Sequence, residues 1–528
     1  MVSNINKYQK RKEEVQLIDK MIIITSIFML AIIPIVMYKK EFASYTPMLY
    51  GNSYATGGKA DVFNYYKASL LYIGSFLMLF MFTYKVVFLK QEIKNSKINI
   101  LIGIFAIVIF LSDVFSKYPN IAFFGNHDRF EGSLAWYCYL IIFFVLFNTK
   151  IEEKYYKLYY MAFIPFIVIN LIFSVTYLYG NNLLEKDFVN NMLGGDLNGY
   201  IITTLYNPNF GSAMSAVVFC ISFMYLLLEK DNKLKIFLLI STVASFIMLL
   251  CMVSSGGFLT ALITIPIILV IALRLRDIKN LCIWGGLTLV LNSIAYFILN
   301  NENNRIYQES FAMLDKINSI SKLIIPSAII LFIALTLVTK FINRKKVFDV
   351  TLIISIILMG VSFISACYIV EDKKDEIRET AIYEKLNNIT TYRLDIWLRS
   401  MDLTNDSILI GNGIDTFPYL MAEKDEKKGM LNGTTFIDKP HNLYLTVAYG
   451  SGILGLAGFL SIIIIVIRRL FHSLSDKIDD TYLYIFGIGV FAYAVQGLSN
   501  DSFVGTSIIF WVICAITCSK IYSKVDNS

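Results

Sequence analysis

Apolar runs long enough to cross a hydrocarbon core of ~30 Å, about 17–25 residues each, recur from one end of the chain to the other. They fall at 21–37, 68–89, 98–115, 133–148, 155–179, 210–228, 236–254, 257–273, 280–299, 322–341, 348–370, 441–467, 482–498 and 503–520. The pattern predicts about fourteen membrane-spanning helices, or about twelve if the short runs at 133–148 and 257–273 do not cross. Most polar breaks between them are short, which implies antiparallel neighbours in one bundle. The expected fold class is therefore all-α, a polytopic integral membrane helix bundle.

Four polar segments are longer. Residues 38–67 are rich in Tyr and Gly (Tyr45, Tyr50, Tyr54, Gly57, Gly58, Tyr65, Tyr66), and 116–132 contain Gly125-Asn126-His127-Asp128-Arg129-Phe130-Glu131-Gly132. Residues 180–209 end in Asn207-Pro208-Asn209, which reads equally well as a turn closing a loop. The largest, 371–440, opens with the charged stretch Glu371 to Glu379, expected as a solvated helical extension of the span before it. A second helix is expected after Thr390 or Thr391, with Leu394, Trp397, Leu398 and Met401 on one face. On that wheel Arg393 flanks the apolar face and Asp395, Arg399 and Asp402 lie opposite, so a helix resting on the membrane would send Arg393 to phosphate depth and Arg399 to water. Gly411-Asn412-Gly413 then breaks the chain, as a turn that folds the segment back over the bundle.

Charge orients this topology. Only 16% of residues are charged while 56% are hydrophobic. Lys and Arg crowd alternate breaks: Lys7 to Lys20, Lys85 to Lys97, Lys150 to Lys157, Lys230 to Lys235, Arg274 to Lys279, Lys340 to Lys346, and Arg468 to Lys477. By the positive-inside rule both termini are expected in the cytoplasm and 371–440 outside, in a multi-pass protein of the cytoplasmic membrane. The organisation expected is a cytoplasmic tail at 1–20, a bundle of about eleven helices at 21–370, the external segment at 371–440, and about three further spans within 441–528. The net charge of +7 follows from this bias and from attraction to anionic lipid, so no nucleic-acid partner is implied. Residues 21–37 lack a small-residue cleavage site and read as an uncleaved signal anchor. All seven cysteines sit in apolar runs and behave as small hydrophobes, with neither a disulfide framework nor a metal set implied.

Candidate chemistry collects where the large segment meets the next span, at Asp438-Lys439-Pro440-His441-Asn442-Leu443-Tyr444-Leu445. His441 follows a proline at a helix start, whose partial positive charge disfavours imidazolium and favours a nearby anion. A neutral imidazole suits a general base. Of the other two histidines, His127 reads as a loop residue and His472 as part of a cytoplasmic loop. Glu131 and Asp128 are either acid–base groups or partners of Arg129, and the tyrosines of 38–67 either an interfacial belt or a platform for sugar rings. A transporter or flippase of lipid-linked sugar is the rival class, but it would need ionisable groups near the bilayer midplane and paired halves. Here the polar residues of interest gather at the outer face.

His441-Asn442, Tyr444-Leu445, Gly450 and Gly452, preceded by Arg393-x-x-x-Trp397 and Gly411-x-Gly413, resemble the O-antigen ligase and O-antigen polymerase superfamily. Arg129-Phe130-Glu131-Gly132 and Asn207-Pro208-Asn209-Phe210 are similar to further fragments of it, in the expected order over roughly residues 120–500. The resemblance implies a GT-C-like, metal-independent membrane glycosyltransferase without cofactor. Such an enzyme moves a glycan from a polyprenyl-diphosphate carrier to a hydroxyl of a glycan, lipid or protein acceptor at the outer face of the membrane. It implies His441 and Arg393 as catalytic residues, Arg393 and Arg129 as diphosphate ligands, and Asn442, Tyr444 and Trp397 as substrate-orienting groups. Where members of the family often carry Ser-Arg-Gly, this chain has Ser254-Ser255-Gly256-Gly257, so either Arg129 or Arg305 compensates for the missing cation or the donor is held differently.

Overall fold

The computed structural model describes residues 2–41, 60–126, 129–194, 203–252, 254–299, 345–390, 393–424, 430–431 and 435–525. In chain order the helices are α1 Val2–Ile32, α2 Tyr65–Val87, α3 Lys97–Phe115, α4 Pro119–Phe124, α5 Ser133–Phe147, α6 Glu153–Met161, α7 Ile164–Leu178, α8 Asp187–Met192, α9 Pro208–Leu228, α10 Asn232–Met252 and α11 Ser255–Leu275. They continue with α12 Ile278–Leu299, α13 Lys345–Arg378, α14 Ala381–Ile389, α15 Arg393–Asn405, α16 Phe417–Lys424, α17 Leu443–Ser475, α18 Thr481–Gln496 and α19 Val504–Val525. Two minimal antiparallel ladders, Lys40–Glu41 with Ala60–Asp61 and Met430–Leu431 with Thr435–Phe436, complete the ordered elements. The protein is an all-α polytopic membrane bundle.

Among the described residues ten helical segments are long and apolar enough to cross a membrane, with α6 and α7 together making one of them, and α5 and α18 are shorter apolar helices. Each apolar run read from the sequence coincides with helix, except 322–341, which lies outside the described residues. The run at 155–179 is two pieces, α6 and α7, because Pro165 lacks the N–H that would continue the first into the second. At the centre, every residue of α9 within its crossing window is buried, as is that of α19. Around them Tyr139 stacks on Trp511 at 6.1 Å, with Trp136, Phe459 and Phe510 edge-on to Trp511 or tilted beside it. By contrast α2 and α3 present exposed stripes (Ile73, Phe80; Ile100, Ile104, Ile107), as expected of helices at a lipid boundary.

The span expected at 441–467 is different in detail. The helix starts at Leu443 and runs to Ser475, but Gly452 breaks it with φ 68°. In the break, Ile453 and Leu454 donate backbone hydrogen bonds to Ile408 and Leu409, while Asn412 and Gly413 donate to the carbonyls of Tyr449 and Gly450. Glycine is required on both sides of this seam. A Cβ on Gly411 would lie 2.5 Å from backbone atoms of Gly450, Ser451 and Gly452, and one on Gly452 would lie 2.2 Å from the Leu409 carbonyl oxygen. The turn at 411–413 is thus docked into the broken helix by backbone pairing.

The Glu371–Glu379 stretch continues α13 as far as Arg378 across a distortion at Lys373. For α15 the expected face is wrong. Its buried residues are Asp395, Ile396, Ser400, Leu403 and Thr404, not Leu394, Trp397, Leu398 and Met401. The cause is a satellite core of Ile396, Leu403, Phe417, Met421, Ile437 and Tyr449 built by the segment itself. Asp395 is drawn inside because Arg399 (2.7 Å), Arg378 (3.2 Å) and the Tyr383 hydroxyl (2.9 Å) all meet it. Arg399 is therefore an internal partner and does not point to water.

Candidate functional site

Local chemistry fixes where His441 sits. Asn442 caps α17, its side-chain oxygen accepting from the N–H groups of Tyr444 and Leu445, and its amide donates to the Leu498 carbonyl at 3.0 Å. His441 precedes the cap in a left-handed conformation with φ 52°. Its dominant neighbour is a carboxylate and not the helix end: Nδ1 lies 2.9 Å from Oδ2 of Asp501, in the short break 497–503 between α18 and α19. Because a carboxylate only accepts, Nδ1 is the donor of this hydrogen bond, and Nε2 is on the side of the ring away from Asp501. Asp501 also accepts from the Asn442 N–H (3.1 Å) and the Thr446 hydroxyl (2.8 Å). Burial pushes the Asp501 carboxyl up, but the His441 hydrogen bond and charge, the Lys439 charge and the Thr446 hydroxyl outweigh it and hold it at about 2.

Each arginine is associated with one of the two carboxylates that flank His441. Arg393, the first residue of α15, is half-buried; burial lowers its proton affinity, and the negative charge of Asp501 opposes that effect. Arg129 is paired through Nη2 with Oδ2 of Asp438, and Oδ1 of Asp438 lies 3.9 Å from Nε2 of His441. Arg129, His441 and Arg393 are thereby linked through Asp438 and Asp501. The loop carrying Arg129 is pinched shut, since a Cβ on Gly125 would be 2.6 Å from the Gly132 nitrogen. It is held in place from α2 by the Tyr72 hydroxyl, which donates to the Phe130 carbonyl at 3.0 Å.

Beneath these groups lies a buried ion cluster. Lys439, 3% exposed, donates to Glu131 at 3.0 Å and to the Ser502 carbonyl at 3.4 Å, with Asp415 at 3.9 Å. Glu131 also accepts from the Tyr139 and Ser507 hydroxyls at 3.2 and 3.1 Å. Asp415 in turn accepts from the Asn126 N–H at 2.7 Å. Glu131 consequently partners Lys439, while Arg129 takes Asp438. One ammonium ties together the Arg129 loop, the 411–416 turn, the strand before α17 and the loop of Asp501.

The remaining expected residues divide. Tyr444 donates from its hydroxyl to the Ala494 carbonyl at 2.5 Å, and Asn442 spends its side chain on the cap and on Leu498. Trp397 is part-buried, and its indole N–H is buried with no partner among the described residues. Asn207 caps α9 with Pro208 behind it, and the Asn209 side chain accepts from Ser254 at 2.8 Å, which joins the starts of α9 and α11. A Cβ on Gly256 would meet the Ser499 hydroxyl at 2.5 Å, so this junction abuts the Asp501 loop. Ser255 opens α11 there. Tyr65 and Tyr66 are T-shaped to one another at 5.1 Å, and Tyr65 meets Phe130 at 5.6 Å, placing two ring systems beside Arg129. His472 belongs to the last turn of α17, 3.1 Å from Asp349, and is not a loop residue. Tyr45, Tyr50, Tyr54, Gly57, Gly58, His127, Asp128 and Arg305 lie outside the described residues.

Asp501, Lys439 and Asp415 were not anticipated as site residues. Asp501 left one signal, an acidic residue in a short polar break that the topology puts on the same side as His441. Lys439 and Asp415 left none, because their pairing spans loops far apart in sequence.

No curated protein matches the chain. The family model described as O-antigen ligase matches residues 319–460, a stretch that includes Arg393, Asp438 and His441. The match covers part of the chain and part of the site, with Arg129, Glu131 and Asp501 outside it, and supports a likeness to the O-antigen ligase and polymerase superfamily of membrane glycan-processing enzymes.

Proposed function

We propose that the protein transfers or polymerises a glycan from a polyprenyl-diphosphate carrier onto an acceptor hydroxyl at the outer face of the cytoplasmic membrane, with both termini and the basic loops inside. The observation that carries this reading is the setting of His441 between two carboxylates, Asp438, which also pairs with Arg129, and Asp501, whose charge acts on Arg393. Nε2 of His441 accepts the proton of the acceptor hydroxyl as its oxygen attacks the anomeric carbon. The bond from that carbon to the carrier diphosphate breaks, and the charge left on the diphosphate is neutralised by Arg393 and Arg129. Asp501 holds the imidazole in the required tautomer and stabilises the imidazolium that forms, which is a positioning role. Trp397, one turn after Arg393 on α15, acts by positioning that helix, whereas Asn442 and Tyr444 act by holding the helix mouth.

The organisation that fits is a cytoplasmic tail at 1–20, spans through 370, an external segment at 371–440 that carries the arginine helix, and the closing spans. The rival reading is a flippase for the same lipid-linked sugar. The charges buried in the bundle do not favour it: Lys67 lies in the first turn of α2, Lys85 in its last turn with Asp19 at 2.7 Å, and Asp113 in the last turn of α3. His441→Ala in the native host decides between them. A transferase leaves undischarged carrier glycan on the outer leaflet, a flippase leaves it on the inner leaflet, and glycan chain length separates polymerase from ligase.

A further inference from the structure

Asp438 holds the position that the donor must take. Its two carboxylate oxygens face the two groups assigned above to the chemistry: one pairs with Nη2 of Arg129, and the other lies 3.9 Å from Nε2 of His441. The other ring nitrogen is already bonded to Asp501 at 2.9 Å, so Asp438 approaches the nitrogen that Asp501 leaves open. A carboxylate set between a guanidinium and an imidazole offers two oxygens that share negative charge, as a phosphate group does.

The backbone after Asp438 is anchored. Next to it, Lys439 is 3% exposed and bound to Glu131 and to the Ser502 carbonyl. Two residues on, Pro440 is buried, and His441 beyond it is held by Asp501. Asp438 itself is 24% exposed on its side chain and Arg129 19%, so the pair lies at the surface of an otherwise closed cluster.

We propose that Asp438 is an internal stand-in for the donor diphosphate, neutralising Arg129 in the empty enzyme and leaving when the phosphate anion enters. This rests on the transferase reading for its occupant.

The test is binding of inorganic pyrophosphate to the full-length protein in nanodiscs, followed by titration calorimetry for the wild type, Asp438→Asn, Arg129→Ala and the double variant. Removing the competing charge should tighten binding on the order of tenfold, the size expected for one charge-assisted, part-buried pair. The gain must vanish in the Arg129→Ala background, because it comes from releasing that guanidinium; a general field effect would persist there. Tighter binding in Asp438→Asn that depends on Arg129 supports the stand-in. Unchanged or weaker binding, a gain that survives loss of Arg129, or no pyrophosphate binding by either protein overturns it. The transferase reading is judged apart from this, by carrier-linked glycan in the His441→Ala strain.

Discussion

Asp501→Asn isolates the positioning carboxylate from its bulk. The side chain is 1% exposed and receives hydrogen bonds from His441 at 2.9 Å, Thr446 at 2.8 Å and the Asn442 N–H at 3.1 Å. An amide fills the same volume and keeps one oxygen, which can still serve Asn442 and Thr446. Its NH2 group then faces Nδ1, and the imidazole must move its proton to Nε2 to accept from it. Nε2 would present a hydrogen where the acceptor hydroxyl needs a lone pair. The loss expected is that of general-base assistance, about 10²- to 10⁴-fold in kcat, with KM changed less than about threefold. The assay is transfer from purified carrier-linked glycan in nanodiscs, with thermal melting as the control for folding. His441→Ala should fall by a similar factor, and the double variant should be no slower than the slower single one, because both act through one imidazole. A folded Asp501→Asn protein with wild-type kcat, or a double variant whose losses multiply, would refute the assignment.

Lys439→Met leaves Glu131 and Asp415 buried without their cation and should destabilise the protein by about 3–5 kcal/mol, read as a lower melting temperature in detergent; adding Glu131→Gln should recover part of the loss. Gly411→Ala, with φ 78° and a Cβ 2.5 Å from the α17 backbone, should abolish accumulation of folded protein, measured by membrane abundance and size-exclusion profile. Asp501 also predicts a pH dependence. Its folded value of about 2 lies below the ordinary 3.8, so its contribution is complete above about pH 4 and lost as pH falls through 2. That contribution amounts to about 2 kcal/mol, and acid unfolding monitored by tryptophan fluorescence should lose this component in Asp501→Asn.

The spans were legible because hydrocarbon imposes one requirement on every residue in a run, and length and apolarity report it directly. The break at Gly452 was legible only in part. Glycines at 411, 413, 450 and 452 stand out, but that the two pairs face each other is a long-range fact that no local period encodes. The face of α15 was misread for a related reason. Leu394, Trp397, Leu398 and Met401 have the right spacing for burial, yet Ile396 and Leu403 win because Phe417, Met421 and Tyr449 arrive from other elements to cover them. At the site, His441, Arg393 and Arg129 could be named from their sequence setting, while Asp501 and Lys439 acquire meaning only through contacts made across the bundle.

The seam between residues 408–413 and the broken helix has a consequence for biogenesis. When α17 leaves the ribosome, its first turns contain amides and carbonyls that no intrahelical partner can satisfy at the Gly452 break, and bare peptide groups are poorly tolerated near lipid. Their partners in residues 408–413 were synthesised earlier, so the helix can settle only once that segment has docked against it. Docking of residues 408–413 is thus a checkpoint for completing the bundle. A chain stalled before docking would expose a ready substrate for quality-control proteolysis instead of accumulating intact.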